Sequence, residues 1–145
     1  MRNLLESAER ALLLSIKPQY VIQILNGSKI FELRRTRPRI NKGELVLIYE
    51  SSPTMALVGY GIVATVTSAT PNRLWPKVRN QAGVTKAEFE EYFEGASVGF
   101  AIQFAQVWSL REPVWLVKLR KLWRGFHPPQ SYQYLSKAQM ELVFQ

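Results

Sequence analysis

The sequence predicts an α+β domain built on a strongly curved sheet, and three observations predict it. Apolar residues recur at every second position through two long segments, 55–68 and 98–108, the period of a half-buried strand. The first of these contains Gly59 and Gly61, where absent side chains let a strand bulge and turn a corner. Between the extended segments stand helix punctuation residues: Pro18 with Gly27, Thr85 with Glu88, and Ser136 with Gln139.

The elements follow in order. Residues 1–11 carry Leu4, Leu5 and Ala8, with Leu12 beyond, at helical spacing, and predict a short amphipathic lead-in helix packed on the domain. A buried strand from Leu13 leads to a helix over Pro18–Asn26, with proline at its first position, glycine just past its end, and Val21, Ile24 and Leu25 inward. The next strand alternates Phe31 and Leu33 with Ile30, Glu32 and Arg34, so Glu32 and Arg34 share one face. Leu45–Tyr49 is a continuous apolar run, as suits a strand covered on both sides, and Ser51, Ser52 and Pro53 turn the chain into the long glycine-bearing strand. Residues 71–82 predict a helix broken at Pro76, and 85–94 a capped helix closed by Gly95, with Phe89, Tyr92 and Phe93 inward. After the strand at 98–108, residues 113–123 fit strand or helix, with Leu116, Leu119, Leu122 and Trp123 favouring helix. A last helix opens at Ser136. Nothing repeats and no linker interrupts the pattern, so a single domain over 1–145 is expected.

Composition bounds the function. The 145 residues include no cysteine, no aspartate and one histidine, His127. Zinc sites and Ser-His-Asp chemistry would have to be assembled from that histidine and glutamates, so neither a metal nor another cofactor is expected. The one dense carboxylate group, Glu88, Glu90, Glu91 and Glu94, falls on a helix and reads as a solvated face. No apolar run approaches the ~20 residues that span a bilayer, and the start lacks signal-peptide features; a cytoplasmic, membrane-free protein is expected. Nineteen basic against eleven acidic residues give a net charge of +8, which points to a polyanionic partner, RNA with DNA as the alternative. The charge is concentrated in two stretches. Lys29, Arg34, Arg35, Arg37, Arg39 and Lys42 are opposed only by Glu32, and Arg111, Lys118, Arg120, Lys121 and Arg124 only by Glu112. Solubility alone is the other reading of such a surplus.

Four segments carry a family resemblance in chain order: SIKPQY before the first full helix, Gly27-Ser28-Lys29-Ile30-Phe31-Glu32-Leu33-Arg34-Arg35 after it, GELVLIYESSP at Gly43–Pro53, and HPPQSYQYL at His127–Leu135. Together they resemble the ASCH domains of the PUA-like superfamily over roughly Leu12–Leu135. The resemblance implies a small PUA-like β-barrel of about five to six strands with inserted and flanking helices. It also implies a cleft between the first helix and the barrel, lined by Lys17, Lys29, Glu32, Arg34 and Ser51. Lysine and arginine there would hold a phosphate while the carboxylate accepts from an exocyclic amino group of a base. Tyr49, Phe126, Tyr132 and Tyr134 offer stacking faces, with core packing as the other reading of these rings and of the four tryptophans. A surface ion pair is the plainer reading of Glu32 with Arg34, and support of the helix C-terminus that of Lys29.

An enzymatic alternative comes from the same resemblance. Some ASCH-like proteins remove acetyl groups from acetylcytidine with a lysine, a threonine three residues on and a separate glutamate. Lys29 matches the lysine, but Glu32 stands at the threonine and Ala82 about where the glutamate aligns, with Glu88 nearby. A Lys29–Glu32 pair could still serve acid–base chemistry if burial lowered the lysine pKa, in a metal-independent hydrolase acting on RNA or a modified nucleoside. A third reading is a protein-interaction module using the aromatic surface near Trp115 and Trp123.

Overall fold

A computed structural model describes residues 4–144. One six-stranded sheet organises the chain, in the order β2-β5-β4-β3-β1-β6. Its strands are β1 (Arg10–Ile16), β2 (Phe31–Arg34), β3 (Leu45–Glu50), β4 (Ala56–Ala69), β5 (Gly99–Trp115) and β6 (Tyr132–Ser136). Around it lie α1 (Leu4–Ser7), α2 (Pro18–Leu25), α3 (Pro71–Val78), α4 (Lys86–Tyr92), α5 (Leu116–Leu122) and α6 (Lys137–Phe144). Among the described residues only β1 and β3 run parallel, as α2 and β2 supply the crossover that a parallel pair requires. The sheet curls without closing: its edge strands β2 and β6 do not pair with each other, so the expected barrel is an open one. Among the described residues no helix is long and apolar enough to cross a membrane.

Two cores sit on opposite sides of the central strands. Leu13, Leu45, Leu47 and Tyr49 face α5 and α6 through Leu116, Leu119, Trp123 and Met140. Leu12, Leu14, Val46 and Ile48 face α2 through Val21 and Ile24. This two-sided burial explains the unbroken apolar runs of β1 and β3. A third cluster joins Phe31 and Leu33 to α3 and α4 through Leu74, Val78, Phe89 and Phe93. The bend of β4 comes from register shifts against β5 around Leu57–Gly59 and Ile62–Thr65. Gly59 is required there, because a Cβ would lie 2.8 Å from both the Trp108 carbonyl and a Leu25 methyl.

Several expectations need correction. Of the lead-in helix, residues 1–3 lie outside the described residues, and the helix covers only Leu4–Ser7; pairing with β3 and β6 takes the chain into strand from Arg10. Pro76 does not break α3, which runs through it to Val78. Leu74 and Val78 are fully buried, and that burial offsets the one backbone hydrogen bond a proline removes. The ambiguous segment divides: β5 continues to Trp115 by pairing with Ala56 and Leu57, and the helix begins at Leu116. β6, absent from the sequence reading, forms on β1. Both capping boxes form, at Thr85/Glu88 and at Ser136/Gln139.

Candidate functional site

Where the C-terminal end of β1 meets β2, a cleft of about 520 Å³ opens, within the range of small-molecule and nucleotide pockets. Its walls come from Lys17 and Tyr20 at the start of α2, Glu32 to Thr36 on and after β2, Glu88 and Tyr92 on α4, and Gln130 and Ser131 before β6. α4 is a wall the sequence reading did not anticipate. It is held there by Arg35, whose Nη1 donates to the Tyr92 carbonyl at 2.8 Å and the Glu94 carbonyl at 2.9 Å, and by the Tyr92 hydroxyl donating to the Leu33 carbonyl at 3.2 Å.

Glu32 and Arg34 share a face of β2, as their spacing requires, yet both are buried rather than on a solvated sheet surface. Arg34 Nη2 donates to Glu32 Oε2 at 2.6 Å and to the Ser15 carbonyl at 3.2 Å. Nη1 donates to the Ser131 carbonyl at 3.1 Å and hydroxyl oxygen at 3.2 Å. The guanidinium thus fastens β2, one edge of the sheet, to β1 and to the segment entering β6, the other edge. Its Nε is buried without a partner. With both terminal nitrogens committed, Arg34 positions the carboxylate and closes the seam rather than offering an open fork for phosphate.

Lys29 is 3 % exposed and lies behind Glu32. The turn after α2 puts it there: Gly27 takes φ +86°, and the Lys29 N–H donates to the Gln23 carbonyl at 3.0 Å. Its Nζ donates to the Ala82 carbonyl, stands 3.9 Å from Glu32 Oε1, and is 5.3 Å from the centre of the Tyr20 ring. Burial pushes its pKa below the ordinary lysine value; Glu32 opposes the shift and Arg34 adds to it. Between that lowered pKa and the ordinary 10.5, the unfolded chain binds more protons than the folded one, so stability rises with pH across this window. Desolvation shifts Tyr20, Tyr49 and Tyr92 upward, so well below pH 10.0, their ordinary value, they stay protonated in both states. Urea midpoints that climb as pH approaches 10, with the climb abolished in Lys29→Met, are the expected result.

The remaining nominated residues divide by position. Lys17 is exposed at the cleft rim, while Arg37 and Arg39 are exposed beyond it. Ser51 ties the turn after β3 to the Ile16 carbonyl through its N–H at 2.9 Å and its hydroxyl at 3.3 Å. Tyr49 is 2 % exposed within the α5-side core, so its ring offers no stacking face, and Phe126 is buried too. Tyr132 and Tyr134 pack edge to face at 5.9 Å, and the Tyr134 hydroxyl accepts from the Arg39 N–H at 2.6 Å. Lys118, Arg120 and Lys121 are exposed on α5, across the sheet from the cleft, so the two basic stretches do not form one patch. Glu90, Glu91 and Glu94 are solvated as expected, whereas Glu88 caps α4 through Thr85 and also lines the cleft. Tyr20, Ser15, Tyr92 and Ser131 were missed; only the position of Tyr20 two residues after Pro18 hinted at a place near Lys29. No group of three or more His, Cys, Asp or Glu among the described residues is arranged to hold a metal ion.

Comparison with known proteins adds a family and a fold. The ASCH domain model matches residues 14–120. An ASCH domain-containing ribonuclease of Zymomonas mobilis is 26 % identical over 128 residues, covering 88 % of this chain and 86 % of that protein. The large ribosomal subunit protein uL22 of Ureaplasma parvum is 29 % identical over 133 residues, 90 % of this chain but 40 % of its own length. The crystal structure of ASCH from Zymomonas mobilis superposes with a TM-score of 0.87 at 25 % identity, covering 92 % of each chain. The N-terminal domain of Staphylothermus marinus McrB, at 11 % identity and a TM-score of 0.52 over 84 % of each chain, shares the fold alone.

Proposed function

This chain belongs to the ASCH domain family, and from that premise we propose that it is a single RNA-binding domain that takes one nucleotide of a strand, plain or modified, into the cleft beside β2. The observation that carries this reading is the buried carboxylate of Glu32, aligned by Arg34 and lining a cleft whose rim is basic. A carboxylate held in place accepts from the exocyclic amino group of a base without paying to order itself. Tyr20 and Tyr92 supply aromatic walls for the base, and stacking is sequence-tolerant. The phosphate falls to Lys17 and Arg35 at the rim, because Arg34 and Lys29 are committed inside the protein. The net charge of +8 favours RNA's backbone over a neutral ligand.

A second reading is metal-independent RNA hydrolysis. It draws on the relative named as a ribonuclease and on the neighbouring Lys29 and Glu32, a lowered lysine pKa beside a carboxylate. In that case Glu32 takes the proton of the RNA 2′-hydroxyl as its oxygen bonds to the adjacent phosphorus, the P–O5′ bond breaks with the 5′-oxygen taking a proton from water, and the rim cations stabilise charge building on the phosphate.

One assay tests both. Labelled single-stranded RNA is incubated with purified protein and chelator, and binding and product are read from the same samples. Saturable binding that weakens with salt, with the RNA intact, is the expected result; Lys17→Gln should flatten the log–log salt slope by about 0.7. Absence of binding at low salt overturns the proposal, and cleavage in the presence of chelator replaces it with the hydrolytic reading.

A further inference from the structure

On the far side of the sheet from the cleft, a surface stands out by its exposure. Trp115, where β5 passes into α5, is 51 % exposed, Val117 67 % and Met55 39 %. They are neighbours: Ala56 pairs with Trp115 across the β4–β5 ladder, and the Leu116 N–H donates to the Met55 carbonyl at 3.0 Å. Ile22 and Leu142 are exposed as well, but here three such side chains come together, and among the four tryptophans the indole of Trp115 is the one left open in this way.

The charge around them is one-sided. α5 turns Leu116, Leu119 and Trp123 inward, which leaves Lys118, Arg120, Lys121 and, just past its end, Arg124 on the outer surface, all exposed. Among the described residues none of these four makes an ion pair. By contrast, Arg10 is paired with Glu44 and Lys137 with Glu9. The only acid between residues 111 and 124 is Glu112. An open aromatic face beside unpaired cations is the pairing of stacking platform and electrostatic track that binds single strands without strict sequence preference.

We propose that Trp115 and the outer face of α5 form a second contact for single-stranded RNA, a base stacking on the indole and phosphates following Lys118, Lys121 and Arg124. The inference rests on the RNA-binding reading of the cleft and extends it: a strand long enough to pass the edge of the domain engages both faces at once. Cleft and α5 then act as two linked sites, so affinity grows with strand length beyond what either face provides. The charge complementarity favours RNA over an acidic protein segment because the exposed cations continue along the chain beyond the apolar group, from Lys118 to Arg124, as a strand's successive phosphates require.

The test compares mixed-sequence RNA strands of about 4 and about 16 nucleotides, the span of sites on a single small barrel. With the longer strand, Trp115→Ala should weaken binding at least about fivefold, the loss of one stacked base. With the shorter strand, which cannot reach both faces, the loss should shrink below about twofold. Replacing Lys118, Lys121 and Arg124 together by glutamine should lower the salt slope for the long strand by about 2. If both variants bind the long strand as the wild type does while Lys17→Gln weakens it, RNA uses the cleft alone; the α5 proposal falls and the cleft reading stands. If the wild type binds neither strand, both fall. If poly-glutamate binds the wild type and is released by Trp115→Ala while RNA affinities hold, the face belongs to an acidic protein partner and the proposal is overturned. Trp115 is half-exposed, so circular dichroism should show every variant folded.

Discussion

Replacing Arg34 by alanine should destabilise the fold by about 3–5 kcal/mol, the cost of stripping one partner from a buried ion pair. The side chain is 8 % exposed and its partner 10 %, so screening by solvent does little to reduce the effect. Three further groups lose a hydrogen bond with it: the Ser15 carbonyl, the Ser131 hydroxyl and the Ser131 carbonyl, the last of which keeps the Ser15 N–H at 3.2 Å. Because these belong to the segments at the opposite edge of the sheet from β2, the loss should appear as an opened seam and not only as a lower midpoint. Hydrogen exchange of β2 and β6 should quicken more than that of β3 and β4. Arg34→Lys should recover only part of the stability, since an ammonium can reach Glu32 or the serine carbonyls but lacks the planar fork that meets both. Urea unfolding reads the size of the effect. A loss below about 1 kcal/mol would be that of an exposed pair and would remove the latch.

Glu32→Gln is expected to have the largest effect on ligand binding, lowering RNA affinity roughly 10- to 100-fold, the worth of a hydrogen bond to a charged acceptor. The same change leaves Arg34 and Lys29 buried without an anion, so stability falls as well. Adding Lys29→Met to Glu32→Gln removes one of the two stranded cations. The double variant should regain part of the stability and none of the affinity, and that divergence separates recognition from folding. The hydrolytic reading predicts the opposite ratio: turnover abolished by Glu32→Gln with affinity nearly intact. Binding isotherms and product analysis on one set of samples distinguish them.

Much of the fold was legible because its signals are local. Pro18 and Gly27 bound α2, Thr85 with Glu88 starts α4, and the alternation in β2 puts Glu32 beside Arg34; each depends on a few neighbouring residues. What escaped depends on partners distant in the chain. β6 is polar and tyrosine-rich and gives no strand signal until β1 offers it an edge, and Pro113–Trp115 fits strand or helix until β4 draws it into the ladder. Pro76 looks like a break because sequence reveals the missing N–H and not the burial of Leu74 and Val78 on either side of it.

The cleft divides along the same line. By itself the sequence determined the chemical inventory: no thiol, no aspartate, one histidine, a strong positive surplus, and Lys29, Glu32 and Arg34 within six residues of one another. It could not determine which of these groups face a ligand, since that depends on what they meet across the fold. The tertiary structure turned Arg34 inward to the two edges of the sheet and Lys29 onto the Ala82 carbonyl. It also buried Tyr49 between sheet and α5, and brought Tyr92 and Glu88 from α4 to the cleft wall. The physical reason is desolvation: a charged or polar group taken out of water must find partners within the protein. Those partners here lie 53 residues along the chain for Lys29 and 97 for Arg34, beyond the reach of any local pattern.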